Sequence, residues 1–252
     1  MSEHKKTALV TGASSGLGAE FCRQLAQQCP VIIAVARRGE RLDNLARELA
    51  GIAEVHVVEA DLLCVEGVAR TLEALRQKGP VDILVNNAGF STYGDFADTQ
   101  IGVQRDMLNL HCDASISLCR AAIPFMLELG GGYIINVSSL GSFLPGRKLA
   151  VYGASKAFLN YFSLSLQQEL EGSSIAVQAL CPGLVRTEIH EPMKDQGFSP
   201  DGFPEDMWMQ SEEVVAASLD ALDSGRVIVV PGEGNLALAR MGAQAALDAL
   251  GK

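Results

Sequence analysis

Short apolar runs alternate with amphipathic stretches along almost the whole chain. The runs are β-prone and bounded by glycine, proline or charged residues, and they predict strands at 7–10, 31–36, 54–58, 82–85, 133–137, 175–180 and 226–230. Between them, apolar residues recur at helical spacing, as Leu42, Leu45 and Leu49 do. This spacing predicts helices at 17–28, 41–50, 65–77, 101–129, 151–171, 211–224 and in the apolar tail 236–250. Pro124 is expected to kink or divide the last part of the 101–129 helix.

The alternation of strands and helices predicts an α/β fold. Strands that are buried on both faces must be apolar throughout, so these runs suit a mostly parallel sheet of about seven strands with helices on both sides. We expect a single doubly wound, Rossmann-type domain over residues 1–252. Residues 188–210 break the rhythm with three prolines, two glycines, two phenylalanines and the chain's single tryptophan. A long insertion of this kind is usually functional, so we expect it to cover the substrate as a loop or lid.

Composition and charge narrow the classes of function. The chain has 252 residues, of which 48% are apolar, and a formal net charge of −10. Such an acidic chain lacks the basic footprint that nucleic acid or an anionic membrane requires, so neither partner is expected. No apolar run reaches transmembrane length and the N-terminus is polar, which predicts a cytoplasmic protein. The six cysteines form no CxxC pair and the four histidines lack ligand spacing, so no metal is expected.

A glycine-rich turn, Thr-Gly-Ala-Ser-Ser-Gly-Leu-Gly at 11–18, joins the first predicted strand to the first helix. Glycines let the backbone turn sharply and approach a pyrophosphate closely. The helix N-terminus adds unpaired N–H groups and the positive end of its dipole. The turn therefore predicts a dinucleotide site formed by Gly12, Ser14, Ser15, Gly16, Leu17 and Gly18.

Several motifs, in order along the chain, resemble those of the short-chain dehydrogenase/reductase family, in particular its NADP-preferring bacterial reductases. The turn has the family's TGxxxGxG spacing, Asn-Asn-Ala-Gly follows the fourth predicted strand at 86–89, and Tyr-x-x-x-Lys lies at 152–156. The segment Pro182-Gly183, with Thr187 beyond it, matches a further family motif. The resemblance implies an NADP(H)-dependent oxidoreductase with the catalytic set Asn109, Ser139, Tyr152 and Lys156. It also implies that Lys156 holds the nicotinamide ribose and that Asn109 helps to maintain a proton-relay water.

Tyr152 and Lys156 also suggest acid/base chemistry independently of the family. Their i, i+4 spacing places both side chains on one face of the predicted helix at 151–171. A free phenol titrates near ~10, and a cationic neighbour together with an oxidised nicotinamide ring lowers that pKa toward about 7. The phenol can then exchange a proton with a substrate oxygen. The alternative is that both are helix-surface residues.

The third and fourth members of the set each have a competing interpretation. Ser139 ends the fifth predicted strand, where its hydroxyl can hold the substrate oxygen, and Ser138 is its competitor. Alternation puts the two serines on opposite faces, and the family's spacing to the tyrosine favours Ser139. Asn109 can instead satisfy the helix backbone. His111 and Cys112, which follow it, are assigned to helix packing.

The second predicted strand ends in Ala36, at the position where NAD-preferring family members carry aspartate, and Arg37 follows directly. An arginine can bind a 2′-phosphate through charge-assisted hydrogen bonds. We therefore predict NADP(H) rather than NAD(H), with Arg37 on the phosphate, Arg38 stacked on adenine and a further hydroxyl from Ser14. The alternative is a solvated entrance to the next helix.

The resemblance implies further cofactor contacts near the ends of other strands. Asp61 and Leu62 match the adenine position, and the rest of this set comprises Asn87, Ala88, Gly89, Pro182, Gly183, Val185 and Thr187. Asn86 and Asn87 can equally be structural, fixing the ends of central strands. Thr187 can also serve as an N-cap.

Apolar residues around the expected site favour a hydrophobic ketone, aldehyde or secondary alcohol as substrate. Phe90 and Leu140 are predicted as walls of the substrate site, with Phe198 and Trp208 in the covering loop. Alternatively, these residues form a static core or a subunit contact. The resemblance also implies a homodimer or homotetramer. Non-redox chemistry on the same scaffold and a nucleotide-sensing or scaffold protein are the competing functions.

Overall fold

Seven parallel strands form the central sheet of the structure, a computed structural model that describes residues 4–199 and 202–251. Two further short strands pair beside it. In chain order the strands are β1 (Thr7–Thr11), β2 (Val31–Ala36), β3 (Glu54–Glu59), β4 (Ile83–Asn86), β5 (Gly132–Val137), β6 (Ile175–Leu180), β7 (Leu184–Val185), β8 (Trp208–Met209) and β9 (Ile228–Val229). The order in the sheet is β3-β2-β1-β4-β5-β6-β9, which confirms the predicted Rossmann-type α/β fold.

Helices cover both faces of this sheet. They are α1 (Gly16–Ala26), α2 (Gly39–Glu48), α3 (Val65–Lys78), α4 (Ile101–Leu108), α5 (Ala114–Leu129), α6 (Ala150–Glu169), α7 (Glu191–Lys194), α8 (Ser211–Asp220) and α9 (Glu233–Asp248). One buried cluster joins α1, α2 and α8 to the sheet, with Phe21 and Leu25 among its largest side chains. A second joins α3, α5 and α6 on the other face, around Leu118 and Met126. Burial on both faces explains why the central strands are almost wholly apolar.

The strand order reverses between β1 and β4. From β1 the chain continues outward to β2 and β3, and it then returns to place β4 on the other side of β1. At such a switch point the connections leave the carboxyl ends in opposite directions and open a crevice. The glycine-rich turn follows β1 and the Asn-Asn-Ala-Gly segment follows β4, so both border that crevice.

The predicted helix at 101–129 is divided, but not at Pro124. A π-helical segment, Asn109–Asp113, separates α4 from α5, and α5 continues through Pro124 to Leu129. A proline removes one backbone hydrogen bond from a helix. Here tertiary packing outweighs that loss, because Cys119, Ala122 and Met126 on either side of the proline are buried against the sheet.

The segment predicted as a covering loop, 188–210, contains short ordered elements, although residues 200 and 201 are outside the described ranges. Its described residues include α7, the 3₁₀ turns Glu188–His190 and Glu205–Met207, and β8, which pairs in parallel with β7 through Leu184 and Trp208. After the last sheet strand, α9 packs through Gly242 against the backbone of Phe143. Across 4–199 and 202–251, no helix is long and apolar enough to cross a membrane.

Candidate active site

The glycine-rich turn is held against the end of β4 by backbone and side-chain hydrogen bonds. The Thr11 hydroxyl accepts the backbone N–H groups of Asn87 and Ala88, each at 2.9 Å. The Asn87 amide donates to the Thr11 carbonyl oxygen at 2.8 Å. A Cβ on Gly18 would overlap the carbonyl oxygen of Gly12, so this turn needs glycine for close packing. The Asn87 side chain therefore has the structural role that was one of its two interpretations.

Asn86 is structural as well. Its amide donates to Asn136 Oδ1 of β5 at 2.8 Å, and the Asn136 amide donates to the Ser163 hydroxyl of α6 at 2.9 Å. All three residues are buried. This chain of hydrogen bonds ties the two central strands to the helix that carries Tyr152, which fixes the position of that helix relative to the crevice.

Ser139, Tyr152 and Lys156 lie together at the carboxyl edge of the sheet. Lys156 Nζ is 5.8 Å from the centroid of the Tyr152 ring and donates to the carbonyl oxygen of Val137 at 2.9 Å. The Ser139 hydroxyl accepts the Gly141 N–H at 3.1 Å, and a Cβ placed on Gly141 would contact both Ser139 Oγ and Tyr152 Cε1. The hydroxyl of Ser139 and the ring of Tyr152 therefore border the same space.

Ser138 points away from this space. Its hydroxyl is buried and donates to the carbonyl oxygen of Lys156 at 2.8 Å, inside α6. The two serines thus lie on opposite faces of the chain, as the alternation of a strand predicts. The geometry leaves Ser139 as the serine able to meet a substrate oxygen.

Burial dominates the acid/base properties of the tyrosine–lysine pair. It raises the pKa of Tyr152 above the usual phenol value, and the Ser139 hydroxyl acts in the opposite direction. Burial also lowers the pKa of Lys156 to about 8. Desolvation penalises both charged forms, so the lowered phenol pKa that we expect from Lys156 together with an oxidised nicotinamide ring stays a prediction.

Asn109 does not lie in this cluster. It begins the π-helical segment with an exposed side chain. His111, which the sequence favours as a packing residue, is buried, and its ring centroid lies 6.0 Å from that of Tyr152. The burial of His111 can be predicted from helical spacing, because Met107, His111, Ala114 and Leu118 recur at i, i+4, i+7 and i+11 and are all buried.

Arg38, rather than Arg37, reaches the glycine-rich turn. Its guanidinium donates to the hydroxyls of Ser14 at 3.1 Å and Ser15 at 2.6 Å. Arg38 and Arg41 both pair with the Glu188 carboxylate, at 2.8 and 2.6 Å. Their hydrogen bonds lower the pKa of Glu188 to about 2. Within the described part of the chain, no hydrogen bond or ion pair reaches the exposed side chain of Arg37.

The other residues predicted to contact cofactor line the same edge or brace it. Thr187 packs against Gly16, which brings the segment after β6 to the glycine-rich turn. The Pro182 carbonyl accepts the Leu140 N–H at 2.7 Å. Gly183 packs against the side chain of Asn235, and the side chains of Leu62 and Val185 are buried. The Asp61 carboxylate accepts a hydrogen bond from the backbone N–H of Leu63. Thr187 precedes a 3₁₀ turn but makes no side-chain capping bond.

The four predicted substrate residues lie in three places. Phe90 lies beside His111, with ring centroids 6.2 Å apart, whereas Leu140 is buried in the protein interior. Phe198 belongs to an aromatic cluster with Tyr93, His190 and Phe203, and Trp208 meets the same His190 ring. A cleft of about 700 Å³ is lined by His190, Phe203 and Trp208 together with charged groups that include Arg186, Glu188 and Lys194.

Comparison with known proteins identifies the family. A family model described as short chain dehydrogenase matches residues 6–197. This chain belongs to that family. An uncharacterized oxidoreductase of Staphylococcus epidermidis is 34% identical over 188 residues, which make up 74% of this chain and 81% of the relative.

Solved structures of short-chain dehydrogenases superpose on almost the whole chain. One, from Sphingobium yanoikuyae in complex with NADPH, has 32% identity and a TM-score of 0.84, and the match covers 98% of this chain and 96% of that one. The bulky-bulky ketone specific alcohol dehydrogenase of Comamonas testosteroni has 30% identity and a TM-score of 0.80, with 96% and 95% coverage. This short-chain dehydrogenase is thus an oxidoreductase by family, and Gly12 and Gly16 adopt positive φ in the turn after β1.

Proposed function

We propose that this chain is an NADP(H)-dependent oxidoreductase that interconverts a carbonyl compound and a secondary or primary alcohol. The observation that carries the proposal is the shared space between the Ser139 hydroxyl and the Tyr152 ring, with Lys156 beside it at the crevice. When bound, the nicotinamide supplies or accepts the hydride. The protein must then supply one proton for each carbonyl reduced and hold the reacting oxygen in place.

Each residue of the cluster has a distinct task in this proposal. The Ser139 hydroxyl donates a hydrogen bond to the substrate oxygen, because its own oxygen already accepts the Gly141 N–H. The Tyr152 hydroxyl gives its proton to the same oxygen as negative charge develops there, and it takes the proton back in the oxidative direction. The Lys156 ammonium stabilises the resulting phenolate, since a positive charge close to a buried anion lowers its free energy.

The preference for NADP(H) rests on Arg38 and Arg41. Two guanidinium groups and the hydroxyls of Ser14 and Ser15 converge beside the glycine-rich turn, and β2 ends in Ala36 without a carboxylate. The Glu188 carboxylate is bonded to both arginines, which supports an anion as the partner of this position. A 2′-phosphate carries more charge than a carboxylate, so it competes well for the same donors.

Replacing Arg38 by alanine should therefore discriminate between the two cofactors. We expect the Kd for NADPH to rise by about 10- to 100-fold, as for a lost charge-assisted contact, and the Kd for NADH to change by less than about threefold. Fluorescence titration of both cofactors measures the two constants. Arg37→Ala is the matched variant, and its effect on NADPH should be smaller. If the Kd for NADPH rises more in Arg37→Ala than in Arg38→Ala, the 2′-phosphate is assigned to Arg37, as the sequence predicts.

The substrate proposed is an apolar carbonyl compound or alcohol. The aromatic cluster of Tyr93, Phe198 and Phe203 supports an apolar body, and the relative from Comamonas testosteroni is described as specific for bulky ketones. The test is a panel of ketones, aldehydes and secondary alcohols with NADPH and NADH, followed by nicotinamide absorbance. Turnover of apolar members with NADPH supports the proposal. Tight cofactor binding without turnover of any member would favour a nucleotide-sensing or scaffold role.

We also propose that the protein acts as a homodimer or homotetramer in the cytoplasm. Large apolar side chains are exposed on helices α4, α5 and α6, namely Ile101, Leu108, Ile116, Leu127, Phe158, Tyr161 and Leu164. A second copy of the chain is a natural cover for exposed apolar surface on neighbouring helices. Sedimentation velocity distinguishes the proposed assemblies from a monomer.

A further inference from the structure

His111 is a buried polar residue between the end of β4 and the helix that carries Tyr152 and Lys156. Only 1% of its surface is exposed. Its ring lies against the backbone of Gly89, where a Cβ would come within 2.6 Å of Nε2 and 3.6 Å of the Lys156 Nζ. Glycine at position 89 therefore permits the approach of both nitrogens to the same stretch of backbone.

Both ring nitrogens of His111 are used. Nε2 lies 3.2 Å from the backbone nitrogen of Phe90, and Nδ1 lies 2.8 Å from the Ser155 hydroxyl oxygen. Since a backbone N–H can only donate, Nε2 must accept, and in a neutral ring Nδ1 then carries the proton and donates to Ser155. The Ser155 hydroxyl in turn donates to the carbonyl oxygen of Tyr152 at 2.7 Å. Every hydrogen bond in the series from the Phe90 N–H to the Tyr152 carbonyl oxygen therefore has one donor and one acceptor.

The surroundings keep this ring uncharged. Burial lowers the pKa of His111 well below its ordinary value, and the positive charge of Lys156 lowers it further. The titratable groups that face the ring are Lys156 and Tyr152 from α6, and Cys112 is the next residue along its own segment. Burial raises the pKa of the Cys112 thiol, so near neutral pH that group adds no negative charge to favour an imidazolium.

We propose that His111 is a positioning residue for the acid/base pair, with a neutral Nδ1–H imidazole that fixes the Tyr152 turn of α6 to the backbone after β4. The proposal rests on the function proposed above. The Phe90 backbone and the Tyr152 carbonyl are the two ends that His111 and Ser155 connect. A shift of that turn moves the phenol relative to the substrate oxygen, and small misplacements of a reacting group are costly.

A ring that served only for packing would not need its nitrogens. Phenylalanine fills a similar volume but leaves the Phe90 N–H and the Ser155 hydroxyl without this partner. Asparagine is shorter but offers one acceptor oxygen and one donor nitrogen, so it can restore part of the chain. The two variants therefore separate hydrogen bonding from volume.

The kinetic test compares His111→Phe and His111→Asn with the unaltered enzyme. For His111→Phe we expect kcat to fall by about 10- to 100-fold while the Kd for NADPH stays within about threefold, because proton transfer depends on geometry more steeply than binding does. His111→Asn should recover at least a third of that loss on a logarithmic scale. Asp113→Asn, an exposed position on the same segment, is the control and should retain full activity. Equal kcat in His111→Phe and the unaltered enzyme overturns the proposal, and so does an equal loss in Asn109→Ala.

A second measurement does not depend on turnover. Nitrogen-15 NMR of the histidine rings reports charge and tautomer directly, and His111→Asn assigns the resonance. We expect a neutral ring protonated at Nδ1 from pH 6 to 9. Titration near ~6.5, as for a free imidazole, or a proton on Nε2 contradicts the proposal. If the NMR result holds while the unaltered enzyme reduces no carbonyl, the proposed function fails and the hydrogen-bond assignment stands.

Discussion

Replacing Tyr152 by phenylalanine should lower kcat for carbonyl reduction by about 10³-fold. The substitution removes one hydroxyl and leaves the ring, so the shape of the site beside Ser139 and Lys156 is kept. A positioned acid contributes roughly 10²- to 10⁴-fold to a proton-coupled step, and Tyr152 is that acid in the proposed function. The Kd for NADPH should change by less than about threefold. Steady-state kinetics and a cofactor titration measure the two quantities.

A second tyrosine on the same helix provides the control. Tyr161 lies on α6 with 76% of its surface exposed in a single copy of the chain, on the apolar surface that we propose to meet a second copy. Phenylalanine keeps the apolar ring at this surface, so Tyr161→Phe should keep its kcat within about twofold of the unaltered enzyme. If Tyr152→Phe retains more than a tenth of the original kcat, the assignment of Tyr152 as the acid is wrong.

Replacing Lys156 by methionine should abolish most activity and make the cofactor-free protein more stable. Lys156 is 5% exposed, and burial lowers its pKa from 10.5 to about 8. A buried ammonium therefore destabilises the folded state near neutral pH. Methionine has a similar volume and no charge, although the bond to the Val137 carbonyl is lost. We expect the free energy of unfolding at pH 7 to rise by about 2 kcal/mol and kcat to fall by at least about 10²-fold.

The lowered pKa of Lys156 determines how the difference in stability between the two proteins changes with pH. The lysine binds its proton more weakly in the folded state than in the unfolded state, so its destabilising effect is fully present below pH 8. Between about pH 8 and 10.5 the folded state has lost the proton and the unfolded state still binds it, so stability rises with pH. The difference between Lys156→Met and the unaltered protein should therefore shrink across this window.

Urea unfolding at several pH values measures this difference, and Lys78→Met, an exposed position at the end of α3, controls for the loss of one charge. A constant difference between pH 7 and 10.5, or a less stable Lys156→Met protein at pH 7, would show that the buried ammonium carries no such cost. A gain in stability together with lost activity is the expected signature of a residue kept for function rather than for folding.

The two arginines after β2 show what a local sequence pattern can and cannot predict about a binding site. The sequence places Arg37 and Arg38 at the end of a strand beside the glycine-rich turn, which is where a 2′-phosphate is bound in an NADP-preferring site. Adjacent residues diverge in direction, and only the packing of α2 and the turn decides which one reaches Ser14 and Ser15. The structure gives that position to Arg38 and adds Arg41, one helical turn further along.

Asn109 and His111 illustrate the same limit on a helix. They are two positions apart, which is roughly half a helical turn, so they point in nearly opposite directions. The buried Met107, Ala114 and Leu118 define the inner face, and His111 falls on it while Asn109 does not. The hydrophobic pattern therefore indicates which of the two residues is buried. The family motif favours Asn109 because it specifies a residue type and not a helical face.

The order of strands and helices, the glycine-rich turn and the pairing of Tyr152 with Lys156 were determined by the sequence itself. Strands buried on both faces must be apolar, and a close backbone approach requires glycine. Residues at i and i+4 share a helical face. Each of these features therefore depends on residues that are close together in the sequence. The tertiary structure alone decided the direction of the Tyr152 pKa shift, the contact of Arg38 with Ser14 and Ser15, and the approach of the His111 ring to Tyr152. These depend on desolvation and on contacts between residues distant in the chain, which no local pattern encodes.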